Sequence, residues 1–283
     1  MLRDIRTFGK ILRAITTRDP AARVRRFYEF SDPESDFAGQ QTRYVNIGYW
    51  QYPDSTLDEA GAALATCLGD AVALGPEQDV LDVGCGYGEQ DFLWLGTDKA
   101  RSVTGLDVTP RHVLAARERA ERAGLTDRLA FRLGSATTLP FPDNSFDRVV
   151  SLDAAFHFHP RSAFFAEAYR VLRPGGLLGT IDTLPLHGDT PRDVFRSPRF
   201  SLYRFSIPDE NWHDRAAYSE QLTGIGFDEV GVRSIREHTW EGWFRHWGDP
   251  GRASKPDWWQ DQDQIRRELD LLDCVLAVAR KPG

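Results

Sequence analysis

Residues 80–88 read VLDVGCGYG, an apolar run that passes directly into a glycine-rich turn. Glycine allows backbone angles that other residues avoid, and it lets a ligand approach the main chain closely. An apolar strand, this turn and the start of a following helix together predict a cofactor cradle. The dinucleotide pattern G-x-G-x-x-G would need a glycine where the chain has Glu89, and a carboxylate beside a pyrophosphate is unfavourable. A dinucleotide cofactor is therefore the less favoured interpretation.

An acidic residue, Asp107, ends the next apolar run, VTGLD at residues 103–107. A carboxylate at the tip of the second strand can accept hydrogen bonds from both hydroxyls of a ribose. The turn and this acid together predict a cofactor that contains a nucleoside. The alternative is a tight turn followed by a helix-capping aspartate, with no ligand.

From about residue 79, short apolar strands alternate with helices, a pattern typical of an α/β protein with a parallel sheet. The predicted strands are Asp79–Val83, Ser102–Asp107, Leu129–Leu133, Phe146–Leu152, Leu177–Asp182, Asp228–Ile235 and Cys274–Ala279. The predicted helices are Gln90–Leu95, Pro110–Ala123, Arg161–Leu172 and Arg215–Gly224. We expect a Rossmann-like, seven-stranded, mostly parallel sheet with helices on both faces.

The composition excludes several classes of protein. The chain has 283 residues, of which 41% are hydrophobic and 27% charged, as expected for a globular protein and not for a disordered one. A net charge of -7 argues against a nucleic-acid partner. No apolar run is long enough for a membrane span, and the N-terminus lacks the apolar core of a secretion signal, so we expect a cytoplasmic protein. The three cysteines are widely spaced and indicate neither a disulfide framework nor a zinc site.

An arm of helices is expected before the sheet. Ile5, Phe8, Leu12 and Ile15 have the spacing of one apolar helix face, with basic residues between them. A second helix is predicted over residues 21–30. The arm could pack on the main domain, on a partner subunit or over a ligand cleft, and binding to a membrane surface is less favoured in an acidic chain.

Two segments interrupt the alternation of strands and helices, at residues 183–211 and 238–272. The first is rich in Pro, Arg and Phe, and the second carries five tryptophans, Trp240, Trp243, Trp247, Trp258 and Trp259. Long irregular segments in a compact domain are usually functional or disordered, and we expect these two to cap the active site. Their aromatic side chains, with Phe195, Phe200, Tyr203 and Phe205, could enclose a bulky acceptor or could be ordinary core. We divide the chain into an arm and cofactor-closing segment (1–55) and a catalytic domain with these two lid insertions (56–283).

The motifs occur in an order and spacing that resemble a known family. After the glycine turn come GLDVTP at residues 105–110, GSATTLPFPDNSFDRVVSLD at 134–153 and RVLRPGG at 170–176. Together they resemble the class I S-adenosylmethionine-dependent methyltransferases. QDFLWL at 90–95 and ARKPG at 279–283 most resemble the macrolide deoxysugar O-methyltransferases of the erythromycin-pathway type. The resemblance implies S-adenosylmethionine as cofactor and a role in natural-product biosynthesis.

The resemblance also implies roles for individual residues. The residues expected to bind the cofactor are Tyr44 in the closing segment YVNIGYW (44–50), Gly84, Cys85, Gly86, Gly88, Gln90, Asp107, Val108, Ser135, Ala136 and Leu152. Asp107 would bind the ribose, and Val108 would flank the adenine. Ser135 departs from the family, which commonly has an acid at this position to contact the adenine edge. The residues expected to bind the acceptor are Tyr49, Phe156, Phe205 and Trp243.

Methyl transfer to a hydroxyl requires alignment of donor and acceptor and removal of a proton. His157 lies in DAAFHFHP at residues 153–160, directly after the fourth predicted strand, and an imidazole near its ordinary pKa suits this role. The resemblance implies His157 as the catalytic base and Asp182, at the end of the fifth strand, as its acidic partner. The alternative for His157 is a packed loop residue. No metal site is predicted, because the remaining histidines lack a ligating spacing.

The leading hypothesis is an O-methyltransferase that acts on a sugar or polyketide hydroxyl of a bulky secondary metabolite. A second hypothesis keeps the cofactor but methylates an isoprenoid double bond, with aromatic side chains stabilising a carbocation. A third is a methyltransferase fold that catalyses a cyclisation or only binds a ligand, since fold does not determine function. The expected partner is a small-molecule acceptor, and a homo-oligomer is possible.

Overall fold

The structure, a computed structural model, describes residues 19–30, 41–191, 207–249 and 262–283. Its helices are α1 (Pro20–Phe30), α2 (Leu57–Ala71), α3 (Glu89–Gly96), α4 (Pro110–Arg122), α5 (Arg161–Val171), α6 (Arg215–Ile225), α7 (Arg236–Gly248) and α8 (Gln262–Leu269). Its strands are β1 (Asp79–Val83), β2 (Ser102–Asp107), β3 (Leu129–Leu133), β4 (Phe146–Leu152), β5 (Leu172–Pro185), β6 (Asp228–Ser234) and β7 (Leu272–Arg280). The described part of the chain also contains two short 3-10 turns, Ala155–His157 and Asp209–Asn211.

The strands form one seven-stranded sheet in the order β3-β2-β1-β4-β5-β7-β6. β7 runs antiparallel to both of its neighbours, and the pairs from β3 to β5 are all parallel. Successive strand residues face opposite sides of the sheet, so Val80 joins one buried cluster, whereas Leu81 and Val83 join the other. Helices cover both clusters, and the predicted Rossmann-like fold is confirmed.

The sequence reasoning missed α2 and drew β5 too short. α2 begins with a capping box in which Thr56 and Glu59 satisfy each other's main-chain N–H groups. β5 starts at Leu172 and extends to Pro185, because its pairing with β7 continues over residues 177–185. The two elements pack closely: a Cβ atom on Gly179 of β5 would lie 2.2 Å from Cγ1 of Val72, just after α2. A small residue on β5 thus makes room for α2.

The segment after α1 and the tryptophans of α7 build one part of the core. Trp240, Trp243 and Trp247 are 1–2% exposed and belong to the same buried cluster as Trp50. A Cβ atom on Gly242 would lie 2.0 Å from Cγ of Trp50, so the Trp50 indole occupies the space beside that glycine. These three tryptophans are therefore core residues, the alternative to an acceptor pocket, and the expectation that the two segments cap the active site stays a prediction. The predicted helix over residues 1–16 lies outside the described residues, and so do Phe195, Phe200, Tyr203, Phe205, Trp258 and Trp259.

The order of strands reverses between β1 and β4, which opens a crevice at the carboxyl ends of the parallel strands. The turns that follow β1, β2, β3 and β4 all meet at this edge. Among the described helices, none is long and apolar enough to cross a bilayer.

Candidate active site

A cavity of about 270 Å³ lies at the carboxyl ends of β1, β2, β3 and β4. Its walls are the four turns that follow these strands, one side of α1 and the stretch 43–46. Ten of the residues predicted for the site line it: Gly84, Cys85, Gly86, Gln90, Asp107, Val108, Ser135, Ala136, Leu152 and His157. The structure thus brings nine of the eleven expected cofactor residues and the expected base into one cavity.

The turns after β1 and β2 are joined by hydrogen bonds. The Gly84 N–H donates to the Leu106 carbonyl at 2.7 Å, and the Gly86 N–H donates to Oδ2 of Asp107 at 3.0 Å. Oδ1 of Asp107 accepts from the Thr109 N–H at 2.7 Å. Asp107 is thus held in one orientation on the cavity wall by two main-chain donors. Each carboxylate oxygen still has a lone pair for a ribose hydroxyl.

The wall of the cavity has room and polar atoms for such a ligand. Gly86 has a φ of +57°, and a Cβ atom there would meet no heavy atom of the described residues within 4 Å. Thr109 is 1% exposed and lines the cavity, and its Oγ1 has no hydrogen-bond partner among the residues that the structure describes. A buried hydroxyl without a partner is uncommon, and a ligand in the cavity would supply one. These groups fit the ribose of a nucleoside cofactor.

A buried pair of carboxyl groups, Asp82 and Asp91, lies beneath the glycine turn. Burial raises the pKa of Asp82 to about 7, and burial together with the charge of Asp82 raises the pKa of Asp91 well above its ordinary range. Burial and a neighbouring carboxylate both favour the protonated form of a carboxyl group. Nε2 of Gln90 donates to Oδ2 of Asp82 at 2.7 Å and to the Cys85 carbonyl at 3.2 Å. Gln90 lines the cavity, and the hydrogen bonds of its amide nitrogen join the glycine-rich turn to Asp82 of β1.

The predicted base, His157, ends the 3-10 turn that follows β4 and is 5% exposed. Its Nε2 is hydrogen-bonded to Oη of Tyr28 on α1, at 2.9 Å, and both side chains line the cavity. The Arg111 guanidinium donates to the Tyr28 carbonyl at 2.6 Å and ties α1 to α4. Helix α1 therefore contributes the Tyr28 hydroxyl to the cavity, beside the His157 imidazole.

A second cavity residue, Asp153, connects the stretch 43–50 to the turn after β4. It adopts a φ of +53°, is 5% exposed, and accepts a hydrogen bond from the Ile47 N–H at 3.0 Å. Arg43, Val45 and Asn46 line the cavity on that side. The predicted closing segment thus reaches the site through residues next to Tyr44.

Asp182 is not the partner of His157. It is fully buried and does not line the cavity, and it forms an ion pair with the equally buried Arg161, with Nη1 at 3.0 Å from Oδ2. Its Oδ1 accepts from the Thr183 N–H at 3.0 Å. Burial raises the pKa of Asp182, and the Arg161 charge opposes that shift. An unpaired carboxylate in this place would be costly, and Arg161 supplies the compensating charge.

The remaining predicted residues that the structure describes pack inside the protein instead of lining the cavity. A Cβ atom on Gly88 would lie 2.5 Å from Cζ of Phe131, so this glycine serves packing. Tyr44 is 5% exposed and packs against Gly61, and burial raises its pKa. Trp243 is 2% exposed in the tryptophan cluster.

Two predicted acceptor residues also pack away from the cavity, and a third cannot be placed. Tyr49 stacks on His238 with ring centroids 4.6 Å apart. Phe156 is fully buried and packs on His157, with ring centroids 4.1 Å apart. Phe205 lies outside the described residues. Their aromatic character alone could not separate core positions from acceptor positions.

Sequence reasoning missed several residues of the site. Tyr28 lies in a predicted helix, but nothing in its neighbourhood indicates that it reaches a histidine 129 positions away. Asp153 begins the stretch that contains His157, and its place at the end of a strand was an available signal. His112 is 3% exposed and lines the cavity, with Nδ1 at 3.3 Å from Oδ1 of Asp107.

Comparison with known proteins agrees with this geometry. Residues 81–180 match a family model described as a methyltransferase domain. The chain is 39% identical to the erythromycin 3''-O-methyltransferase of Saccharopolyspora erythraea, over 100% of this chain and 97% of that protein. It is 38% identical to the 27-O-demethylrifamycin SV methyltransferase of Amycolatopsis mediterranei, over 50% of this chain and 51% of that protein.

Solved structures share the fold at lower identity. A geranyl diphosphate C-methyltransferase from Streptomyces coelicolor A3(2) superposes with a TM-score of 0.74 at 16% identity, covering 94% of this chain and 99% of that one. The [4+2]-cyclase SpnF superposes with a TM-score of 0.68 at 23% identity, covering 84% and 88%. At these identities the likeness concerns the fold alone.

Proposed function

The chain belongs to the class I S-adenosylmethionine-dependent methyltransferases, and on that premise we propose that it methylates a hydroxyl group of a bulky secondary metabolite, such as a sugar carried by a polyketide. One observation carries the proposal: the imidazole of His157 lines the same cavity as Gly86 and Asp107. A base and a cofactor cradle in one cavity are what methylation of a hydroxyl requires. The full-length similarity to a macrolide O-methyltransferase supports this class of acceptor.

Cofactor binding falls to the residues on the β1, β2 and β3 side of the cavity. Asp107 would accept hydrogen bonds from the ribose hydroxyls, and the main chain around Gly84 and Gly86 would face the ribose and methionine portions. Ser135 and Ala136 line the part of the wall where the adenine edge is expected. When bound, S-adenosylmethionine supplies a methyl group on a positively charged sulfur, which is already activated for attack.

The chemical step assigned to the protein is removal of one proton. His157 Nε2 would take the proton of the acceptor hydroxyl as that oxygen attacks the methyl group that the bound cofactor would supply. Oη of Tyr28 lies 2.9 Å from Nε2, and this nitrogen has one lone pair, so the acceptor hydroxyl would replace Tyr28 at Nε2 and the displaced Tyr28 hydroxyl would lie beside the acceptor oxygen. Arg161 compensates the charge of Asp182, which therefore stabilises the fold beneath the site and does not take part in proton transfer.

The test combines a variant of the base with a panel of acceptors. We expect His157→Gln to lower kcat for a glycosylated macrolide by about 10²–10⁴-fold, the usual contribution of a positioned general base. Calorimetry should show the cofactor dissociation constant unchanged, because His157 does not hold the cradle. His238→Gln is the matched control, since His238 stacks on Tyr49 outside the cavity.

Three results would contradict the proposal. Full activity of His157→Gln would exclude this histidine as the base. If no S-adenosylhomocysteine is released with any glycosylated polyketide, although the cofactor binds, the acceptor class is wrong. Release with an isoprenoid alone would favour C-methylation.

A further inference from the structure

One buried amide side chain holds both peptide groups that flank the proposed base. Asn211 ends the second 3-10 turn, Asp209–Asn211, and is 1% exposed. Its Nδ2 donates to the Phe156 carbonyl at 3.1 Å and to the Phe158 carbonyl at 2.5 Å. These carbonyls stand immediately before and after His157. Both hydrogens of one amide group therefore hold the turn that carries the imidazole.

The other side of Asn211 is anchored in the fold. Its Oδ1 accepts from the Arg161 main-chain N–H at 2.9 Å, at the first residue of α5. The Arg161 guanidinium donates to the Asn211 carbonyl at 3.3 Å, to Nε2 of His213 at 2.9 Å and to Asp182 at 3.0 Å. Arg161 and Asp182 are fully buried. A chain of buried polar groups thus runs from β5 through Arg161 and Asn211 to the turn of His157.

Burial makes this arrangement rigid. Burial and the Arg161 charge together lower the pKa of His213 to about 4, so the neutral imidazole accepts from the guanidinium near neutral pH. The Asn211 amide and both terminal nitrogens of Arg161 are hydrogen-bonded, and a rearrangement would leave one of these buried groups without its partner. In contrast, the turn of His157 has only three residues. Its geometry depends on what is packed behind it.

We propose that Asn211 is a positioning residue for methyl transfer: it fixes the turn of His157 against α5 and β5, so that Nε2 stays within reach of the acceptor hydroxyl. This inference rests on the proposed role of His157 as base. A general base must lie within hydrogen-bond distance of its proton, and displacement by about 1 Å can cost about 10²-fold in rate. Asp182, through Arg161, then acts on the site indirectly.

The experiment is a double-mutant cycle with His157→Gln. Asn211→Leu keeps the branched shape but removes both donors, and we expect kcat per cofactor-binding site to fall about 10- to 100-fold. The cofactor dissociation constant should stay unchanged. In the His157→Gln background, Asn211→Leu should have no further effect on kcat, because the positioned group is already gone. Hydrogen exchange of the His157 and Phe158 amides should accelerate in Asn211→Leu.

Two more variants separate positioning from general loss of structure. Asn211→Asp keeps the acceptor for the Arg161 N–H and lacks the donors, so it should match Asn211→Leu and serves if the leucine variant does not fold. Thr239→Val is the matched control, because Thr239 is also buried and its hydroxyl also donates to two carbonyls, those of Ile235 and Arg236, outside the cavity. We expect its kcat per binding site to equal that of the wild type.

The outcomes are distinguishable. Wild-type kcat in both Asn211 variants overturns the inference and leaves the role of His157 intact. An Asn211→Leu effect that persists in the His157→Gln background shows that Asn211 acts elsewhere, which also overturns it. If His157→Gln alone has wild-type activity, the proposed base is wrong, and the inference fails with it.

Discussion

Two glycines of the same turn, Gly86 and Gly88, should respond in opposite ways to replacement by alanine. Both have positive φ, +57° and +75°, so each substitution carries a similar backbone cost of about 1–2 kcal/mol. Their surroundings differ. A Cβ atom on Gly86 would enter open space in the cavity, whereas one on Gly88 would lie 2.5 Å from Cζ of Phe131.

Phe131 cannot easily move away. It is 3% exposed, and its ring also lies 2.6 Å from the position of a Cβ atom on Gly105, so it fills the space beside two glycines. Overpacking of this kind costs about 1–3 kcal/mol beyond the backbone term. At roughly 2–4 °C per kcal/mol for a domain of this size, Gly88→Ala should melt about 2–12 °C below Gly86→Ala.

Cofactor affinity should show the reverse order. A methyl group on Gly86 would occupy the wall where the ribose and methionine portions are expected, and a clash of about 1.4–2.8 kcal/mol weakens binding about 10- to 100-fold. Gly88→Ala, once folded, should bind nearly as well as the wild type. Differential scanning calorimetry without cofactor and titration calorimetry with S-adenosylhomocysteine measure the two effects. Equal melting temperatures for the two variants, or unchanged affinity in Gly86→Ala, would refute this assignment.

Two further changes test the hydroxyl beside the base and the buried carboxyl pair. Tyr28→Phe removes one hydrogen bond, which is worth about 0.5–1.5 kcal/mol. Steady-state kinetics should therefore show that kcat/KM for the acceptor is about 2- to 12-fold lower, whereas the cofactor affinity is unchanged. An unchanged kcat/KM would exclude a role of the Tyr28 hydroxyl in the site. Burial raises the pKa values of Asp82 and Asp91 in the folded protein. At pH values above the ordinary pKa of aspartate, the folded state therefore binds more protons than the unfolded state. The free energy of unfolding should therefore fall as pH rises towards neutrality, by about 1.4 kcal/mol per pH unit for one proton. Asp91→Asn should flatten this slope in urea titrations from pH 5 to 8, and an unchanged slope would mean that the pair holds no extra proton.

Much of the cofactor half of the site could be predicted from the sequence. Gly86 and Asp107 follow neighbouring parallel strands, and strand topology alone places such residues at the same edge of the sheet. The strands themselves are continuous apolar runs, because both faces of a parallel sheet are buried. In contrast, Gly88 was predicted to touch the cofactor, but the ring of Phe131 occupies the space beside it. A glycine pattern shows where a side chain is absent, not what fills the space.

The acceptor half could not be predicted in the same way. Trp243 and Phe156 are as aromatic as any pocket residue, and only their burial shows that they are core. Tyr28 meets His157 because α1 packs across the carboxyl ends of the strands, a contact between distant parts of the chain. Asp182 has the chemistry of a partner for His157, but its carboxylate pairs with Arg161 instead.

By itself, the sequence determined the α/β fold, the cofactor class and the residues of the cradle, because these depend on local runs and on turns between adjacent strands. Only the tertiary structure decided which polar groups meet beyond those turns. It brings Tyr28 to His157, gives Arg161 to Asp182, and sets Asn211 behind the turn of the proposed base. The physical reason is that burial requires every polar group to find a partner, and the partner that is near in space is often far along the chain.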